Sequence, residues 1–318
     1  MSMYGLRSSP AAWNQHRDCG VREISDKLEN YRIIQSALDE NIWLIQNKQG
    51  TELCGLLLAY VDDFLITGTT DARATVTDAI KQRWTCGKHT TLRADLKPGE
   101  TDVGEFVGIE MTRTCDGITM TQGKFIKKLL ERYGLEQCNP RATPMDDWTE
   151  PELEEADKDT VTAAQEMVGS LLWLSCKTRV DVSYAVQVLS SFATKCPRWT
   201  LSEGKKVLRY LAGTVQVGLN YTKTTRLDDD DRASDFDDLR RRRGAPLYER
   251  DKTRVLVQAF ADASFCPDVT KAKQNDETCD DTMVRAVTGY VIVVGGQVLY
   301  WKSNKQSTPT SSTAEAEL

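Results

Sequence analysis

Short β-rich runs interspersed with stretches of three-and-four apolar spacing predict an α+β chain, and 318 residues suggest about two domains. Hydrophobic residues make up 40% of the sequence, enough for a packed core. The longest strongly apolar run, Leu56 to Val61, is far too short to cross a bilayer, and the N-terminus lacks the charged-then-apolar layout of a signal peptide. A soluble intracellular, cytoplasmic protein with no membrane partner is expected.

Taken in order, strand signals cluster at Ile42 to Ile45, Leu53 to Val61 and Phe64 to Thr67. Asp71 to Trp84 carries helical periodicity. Val107, Ile109 and Met111 then alternate with Gly108 and Glu110. Asp116-Gly117 offers a tight turn before Ile118 and Met120 resume the period of two. Helical spacing returns in Phe125, Ile126, Leu129, Leu130 and Tyr133, closing a first block of residues 1–145. Residues 146–166, punctuated by Pro151, read as an exposed acidic linker.

Helices follow over residues 167–225: Met167 to Lys177, then Val182, Ala185, Val186, Leu189 and Phe192, then Glu203 to Leu211. Residues 226–254 alternate Asp228 to Asp231 with Arg240 to Arg243, nine charges of each sign, and read as a solvated insertion. In residues 255–318 strands resume. Val255, Val257, Ala259 and Ala261 alternate, and Tyr290 to Val294 turns through Gly295-Gly296 into Val298 to Trp301.

The net charge of −6 is unevenly distributed. Residues 146–160 hold eight acidic groups against Lys158, a local −7, so the remainder carries +1. Residues 168–225 hold eight Lys and Arg against Asp181 and Glu203. An acidic total thus conceals a basic helical segment suited to a polyanion.

Nine cysteines lie scattered without a Cys-x-x-Cys pair, which argues against a zinc knuckle, and only His16 and His89 are available. Carboxylates are therefore the expected catalytic groups. The sharpest signal is Tyr60-Val61-Asp62-Asp63 between two apolar strands. Adjacent carboxylates at a hairpin tip repel each other, a divalent cation relieves that repulsion, and oxygen ligands suit Mg²⁺.

YVDD between apolar strands resembles the catalytic hairpin of reverse transcriptases, and further segments narrow the likeness. Tyr4-Gly5-Leu6-Arg7-Ser8-Ser9-Pro10 with Trp13 is similar to the YGLKQSPRAW segment of copia-type LTR retrotransposon polymerases. Phe106 to Ile109, Thr143 to Met145, Val168 to Leu174, Thr178 to Asp181 and Val207 to Thr214 fall in that family's order. Thr288 to Tyr290, Trp301 to Ser303 and Ser312 to Glu317 resemble its ribonuclease H segment.

The resemblance implies a partial palm, a helical connection and a truncated ribonuclease H-like domain. It implies RNA-directed DNA synthesis with degradation of the RNA strand, an RNA template, an RNA/DNA hybrid, deoxynucleotides and the rest of a Pol polyprotein as partners, and Mg²⁺ as cofactor. Asp62 would be the principal polymerase metal ligand, Asp63 its neighbour, and Tyr60 would lie near the primer end. Arg7 sits in the segment implied to border template and nucleotide, where Ser8 replaces the family's Gln. Asp262 matches the first ribonuclease carboxylate, and Glu317 the catalytic Glu, with Glu315 as the alternative register. Lys177, Arg179, Lys205, Lys206 and Arg209 would track the hybrid through its phosphates.

The family places another polymerase Asp upstream of the Tyr4 segment and further ribonuclease carboxylates downstream of Glu317. Each metal site is thus expected to be incomplete in these residues. The competing expectation is an inactive or domesticated relic that at most binds nucleic acid. Val180 in place of the family's Pro and the long stretch of residues 265–285 also mark a diverged copy.

Overall fold

The computed structural model describes residues 9–222, 257–264, 286–307 and 316–317. Arg7, Glu315 and the charged stretch of residues 226–254 lie outside them. The chain divides into two compact units, residues 1–92 with 104–108, and residues 93–103 with 109–318.

The first unit runs α1 (Ser9–Lys27), β1 (Tyr31–Gln35), β2 (Ile42–Asn47), β3 (Leu53–Tyr60), β4 (Asp63–Gly68) and α2 (Thr70–Arg83). Its strands form an antiparallel meander in the order β1-β2-β3-β4, with Leu57 paired to both Trp43 and Ile66. Alternate residues of the sheet, Tyr31, Ile33, Trp43, Ile45 and Leu57, join Val21 and Ile24 of α1 and Val76 and Ile80 of α2 in one buried core. Thr69 caps α2 by accepting a hydrogen bond from the Ala72 amide. Gly68, at φ 141°, faces Gly55 across the ladder so closely that a Cβ there would lie 2.3 Å from the Cys54 carbonyl oxygen.

β5 (Asp102–Phe106) follows and ends at a turn where Val107 and Gly108 both adopt positive φ. The period-two run expected to be continuous through Val107 is therefore broken, and β6 begins only at Ile109. In the second unit β6 (Ile109–Arg113), β7 (Gly117–Thr121) and β8 (Leu219–Thr222) pair antiparallel; the chain turns through residues 114–116, so Gly117, expected in the turn, instead opens β7. The helices are α3 (Gly123–Arg132), α4 (Lys158–Ser175), a 3-10 turn η1 (Val180–Val182), α5 (Ser183–Phe192) and α6 (Pro197–Gly213). Their apolar stripes, including Ile126, Met167, Leu171, Leu174, Val186, Leu189 and Leu208, meet in one core. Helices α4 and α6 cross closely because Gly204 has no side chain where Met167 Sδ sits.

α4 starts nine residues before Met167, where the sequence pattern places it, because Asp157 accepts a 2.8 Å hydrogen bond from the Thr160 amide and caps it. The acidic stretch ahead of it has no regular structure but is fastened down. Glu154 accepts bonds from the Arg198 and Trp199 amides at 2.9 and 3.1 Å, at the start of α6. Trp148 packs between Phe192 and Trp199. The stretch is mostly exposed, as expected of an acidic linker, but Glu154 and Trp148 tether it to α5 and α6.

β9 (Val257–Ser264), β10 (Val287–Val294) and β11 (Gln297–Lys305) make an antiparallel sheet in the order β11-β10-β9, turning at Gly295-Gly296 as expected. Trp301 Nε1 donates to the Ser175 carbonyl at 2.7 Å, tying β11 to the end of α4.

Candidate functional site: a carboxylate turn and a helical surface

Tyr60 pairs directly with Asp63, so Val61 and Asp62 are the two loop residues of a tight hairpin. Primed turns of this kind require positive φ, and Val61 adopts 54°. For a β-branched residue that is a strained conformation, costing on the order of 1–3 kcal/mol. The hairpin holds it: the ladder fixes Tyr60 and Asp63, and Trp13 Nε1 of α1 donates to the Val61 carbonyl at 2.5 Å. Trp13 also touches His16, whose ring is 6.5 Å from that of Trp84, and Trp84 lies 5.7 Å from Phe64 just after the turn. Tyr60 and Val61 are 51% and 56% exposed, so the tip projects into solvent with Asp62 and Asp63 equally accessible.

The two carboxylates suit a hard divalent cation in chemistry but not in number. Among the described residues neither forms an ion pair, and no group of three or more His, Cys, Asp or Glu is assembled to hold a metal.

The basic residues expected to face a polyanion divide. Lys205 is exposed on α6, and Lys177 is exposed with its ammonium 5.0 Å from the Trp173 ring centroid. Lys206 pairs with Glu203 at 2.6 Å, and Arg209 donates to the Asn139 carbonyl at 2.8 Å. Arg179 requires a correction. It is fully buried, its guanidinium committed to Asp181 and to the Thr214 carbonyl and hydroxyl, so it holds the helices together and presents nothing to a phosphate. A charged residue in a basic segment looks solvated in sequence; here a carboxylate two residues on and a carbonyl 35 residues on take its donors.

Burial alone would push the Asp181 carboxyl up, but the Arg179 hydrogen bond and charge and the Tyr210 hydroxyl hold it below the usual carboxylate range. The Tyr210 hydroxyl is pushed up, by burial and by that same carboxylate.

Helices α3 and α4 flank a shallow groove, and three of its lining residues, Gly169, Ser170 and Trp173, belong to the Val168 to Leu174 segment singled out in the sequence. It measures about 560 Å³ and is lined by Phe125, Arg132, Glu166, Gly169, Ser170 and Trp173. Arg132 and Glu166 form an ion pair along it. Within that segment Gly169 and Trp173 stand four residues apart, hence on one helix face.

Asp262 is exposed near the end of β9, paired with Gly289 of β10. Glu317 is exposed, and the preceding Ala316 carbonyl accepts from Gln306, which also donates to the Thr288 hydroxyl. Thr288 adjoins Gly289, so the described part of the C-terminal turn reaches the same end of the sheet as Asp262.

A tight carboxylate-bearing hairpin on an antiparallel meander backed by two helices agrees with a polymerase class. Residues 1–147 match the family described as "Reverse transcriptase (RNA-dependent DNA polymerase)". Nearly the whole chain is similar to Pol polyproteins of copia-type transposons. It is 28% identical over 318 residues to the "Retrovirus-related Pol polyprotein from transposon RE1" of Arabidopsis thaliana, covering 99% of this chain and 18% of that protein. It is 24% identical over 326 residues to the Pol polyprotein from transposon TNT 1-94 of Nicotiana tabacum, covering 99% and 20%. An uncharacterized mitochondrial protein of Arabidopsis thaliana, AtMg00810, is 26% identical over 261 residues, covering 82% and 88%. The chain thus spans about a fifth of the polyproteins it matches. No solved structure matches it. Among the described residues no helix is long and apolar enough to cross a membrane.

Proposed function

We propose that this chain is the nucleic-acid-holding and carboxylate-presenting portion of an RNA-directed DNA polymerase with ribonuclease H, acting within a copia-type Pol polyprotein. The observation that carries the reading is the solvent-facing turn at Tyr60 to Asp63, where Asp62 and Asp63, without an ion pair among the described residues, follow a strained and braced Val61. Strain kept at an exposed acidic tip serves preorganisation better than it serves stability.

In this reading Asp62 and Asp63 join carboxylates outside the described residues in holding Mg²⁺, which when bound stabilises the charge of a phosphoryl transfer. Tyr60 lies against the primer terminus. The Gly169 to Trp173 face of α4, with Lys177 beside it and Lys205 on α6, follows the hybrid. Asp262 and Glu317 belong to a second carboxylate site, on the RNA strand. With only two ligating groups at the turn, the chain alone binds a primer–template and does not extend it, which accommodates the relic alternative for an isolated copy.

The test is a photo-cross-link. A benzophenone amino acid at Tyr60, in the full 318-residue chain bound to a primed RNA template, is expected to label the primer's 3′-terminal nucleotide. Labelling spread evenly along the duplex, or none at saturating hybrid, overturns the reading.

A further inference from the structure

The turn accepts a hydrogen bond from a residue 48 positions away in sequence, a contact separate from the role of the carboxylates themselves. Val61 stands at φ 54°, where a β-branched side chain is disfavoured and Gly or Asn is the usual occupant. Left alone, such a peptide flips toward an ordinary turn and takes the Asp62 carboxylate with it. Two contacts oppose the flip from outside the hairpin. Trp13 Nε1 donates to the Val61 carbonyl at 2.5 Å, and Trp84, at the end of α2, packs its ring on Phe64. His16 lies between the two tryptophans, within 5.8 Å of one ring and 6.5 Å of the other. Gly20 leaves room for this arrangement, since a Cβ there would come 2.4 Å from the Trp84 ring.

We propose that Trp13 is a positioning residue for the Asp62–Asp63 turn: its indole N–H selects the left-handed Val61 peptide, and the Trp13–His16–Trp84 row ties that choice to helix α1. This rests on the reading of the turn as the polymerase carboxylate site, but its test does not. Trp13 touches neither substrate nor metal. It fixes where the carboxylates stand, and the hydrogen bond it contributes is the kind of contact whose loss shifts a two-state equilibrium on the order of fivefold.

The experiment compares Trp13→Phe, which keeps a ring and removes the donor, with a chain carrying benzothienylalanine at position 13, which keeps the indole shape without its N–H. Backbone relaxation dispersion at Val61, Asp62 and Asp63 reads the population of the alternative turn. It is expected to rise on the order of fivefold in both, with strand residues such as Leu57 unchanged. In a Val61→Gly background, where positive φ is free, removing the Trp13 donor is expected to change nothing further. A tip unaffected by either replacement, or a rise shared equally by β3 and β4, overturns the proposal. Cross-linking from position 60 to the primer end should fall with Trp13→Phe at unchanged hybrid affinity. Should the parent chain give no cross-link, the polymerase reading fails while the dispersion result still decides the role of Trp13.

Discussion

Arg179 grips Asp181 with a two-pronged fork, Nε to Oδ1 at 3.0 Å and Nη2 to Oδ2 at 2.7 Å, although only one residue separates them in sequence. Tyr210 adds its hydroxyl to the same carboxylate at 2.8 Å, and the guanidinium stacks over that tyrosine's ring. This knot joins η1 to α6 at the centre of the helical core. Lysine cannot reproduce the planar fork. Arg179→Lys is therefore expected to destabilise the second unit by roughly 3 kcal/mol, the scale for breaking a buried pair. Urea unfolding followed by far-UV circular dichroism measures this as a lower midpoint.

The same knot sets an acid limit. Asp181 has a lowered folded pKa, so its contribution is complete above the unfolded Asp value of about 3.9 and is lost as pH falls through the lower folded value. Thermal midpoints from pH 6 down to pH 2 should fall in that acid window. Asp181→Asn should flatten this part of the curve, and an unchanged slope would show that other carboxylates carry it.

Gly68→Ala adds a methyl 2.3 Å from a backbone oxygen and at a φ that alanine rarely adopts. A loss of about 1–3 kcal/mol is expected, the scale of overpacking, with no relief from shortening neighbouring side chains because the obstacle is main chain. Denaturant titration checks it. The corresponding Gly204→Ala change meets the Met167 side chain, so Met167→Ala should offset part of its cost.

Salt dependence separates surface cations from structural ones. Lys177→Gln and Lys205→Gln are each expected to reduce the slope of log affinity against log salt by about 0.9 for an RNA/DNA hybrid, without altering the thermal midpoint. Anisotropy titrations between low and moderate salt provide the slopes. Two slopes equal to that of the parent chain would remove both lysines from the hybrid path.

Primer extension gives a fifth check. The chain with Mg²⁺, a primed RNA template and deoxynucleotides is expected to yield no elongated product. Extension that Asp62→Asn abolishes would overturn the assignment of only a partial metal site to this chain.

Strands β2, β3 and β4 were legible because Trp43, Ile45, Leu57 and Ile66 fall in runs whose composition admits little else, whereas β1, five residues with Arg32 among them, was not. The carboxylate turn was legible for the same reason, since Asp62-Asp63 interrupts such a run. Helix α1 was not. Its buried face consists of Arg17, Gly20, Val21 and Ile24, so a charge and a glycine stand where an apolar stripe is sought. Strand β8 has four residues, too few for a period. The burial of Arg179 and the reach of Trp13 to Val61 depend on partners 35 and 48 residues distant, and local spacing carries no trace of either.

The two-residue loop between β3 and β4 also governs how a copy of this gene can age. Point substitutions along the strands exchange one side chain at a time, and many leave the sheet standing. A lost or gained codon at Val61 acts differently: with β3 held in place, β4 must slip by one position, and Phe64, Leu65 and Ile66 exchange inward for outward facing together. A change of length at this tip thus alters the facing of a whole strand, where a substitution alters a single side chain.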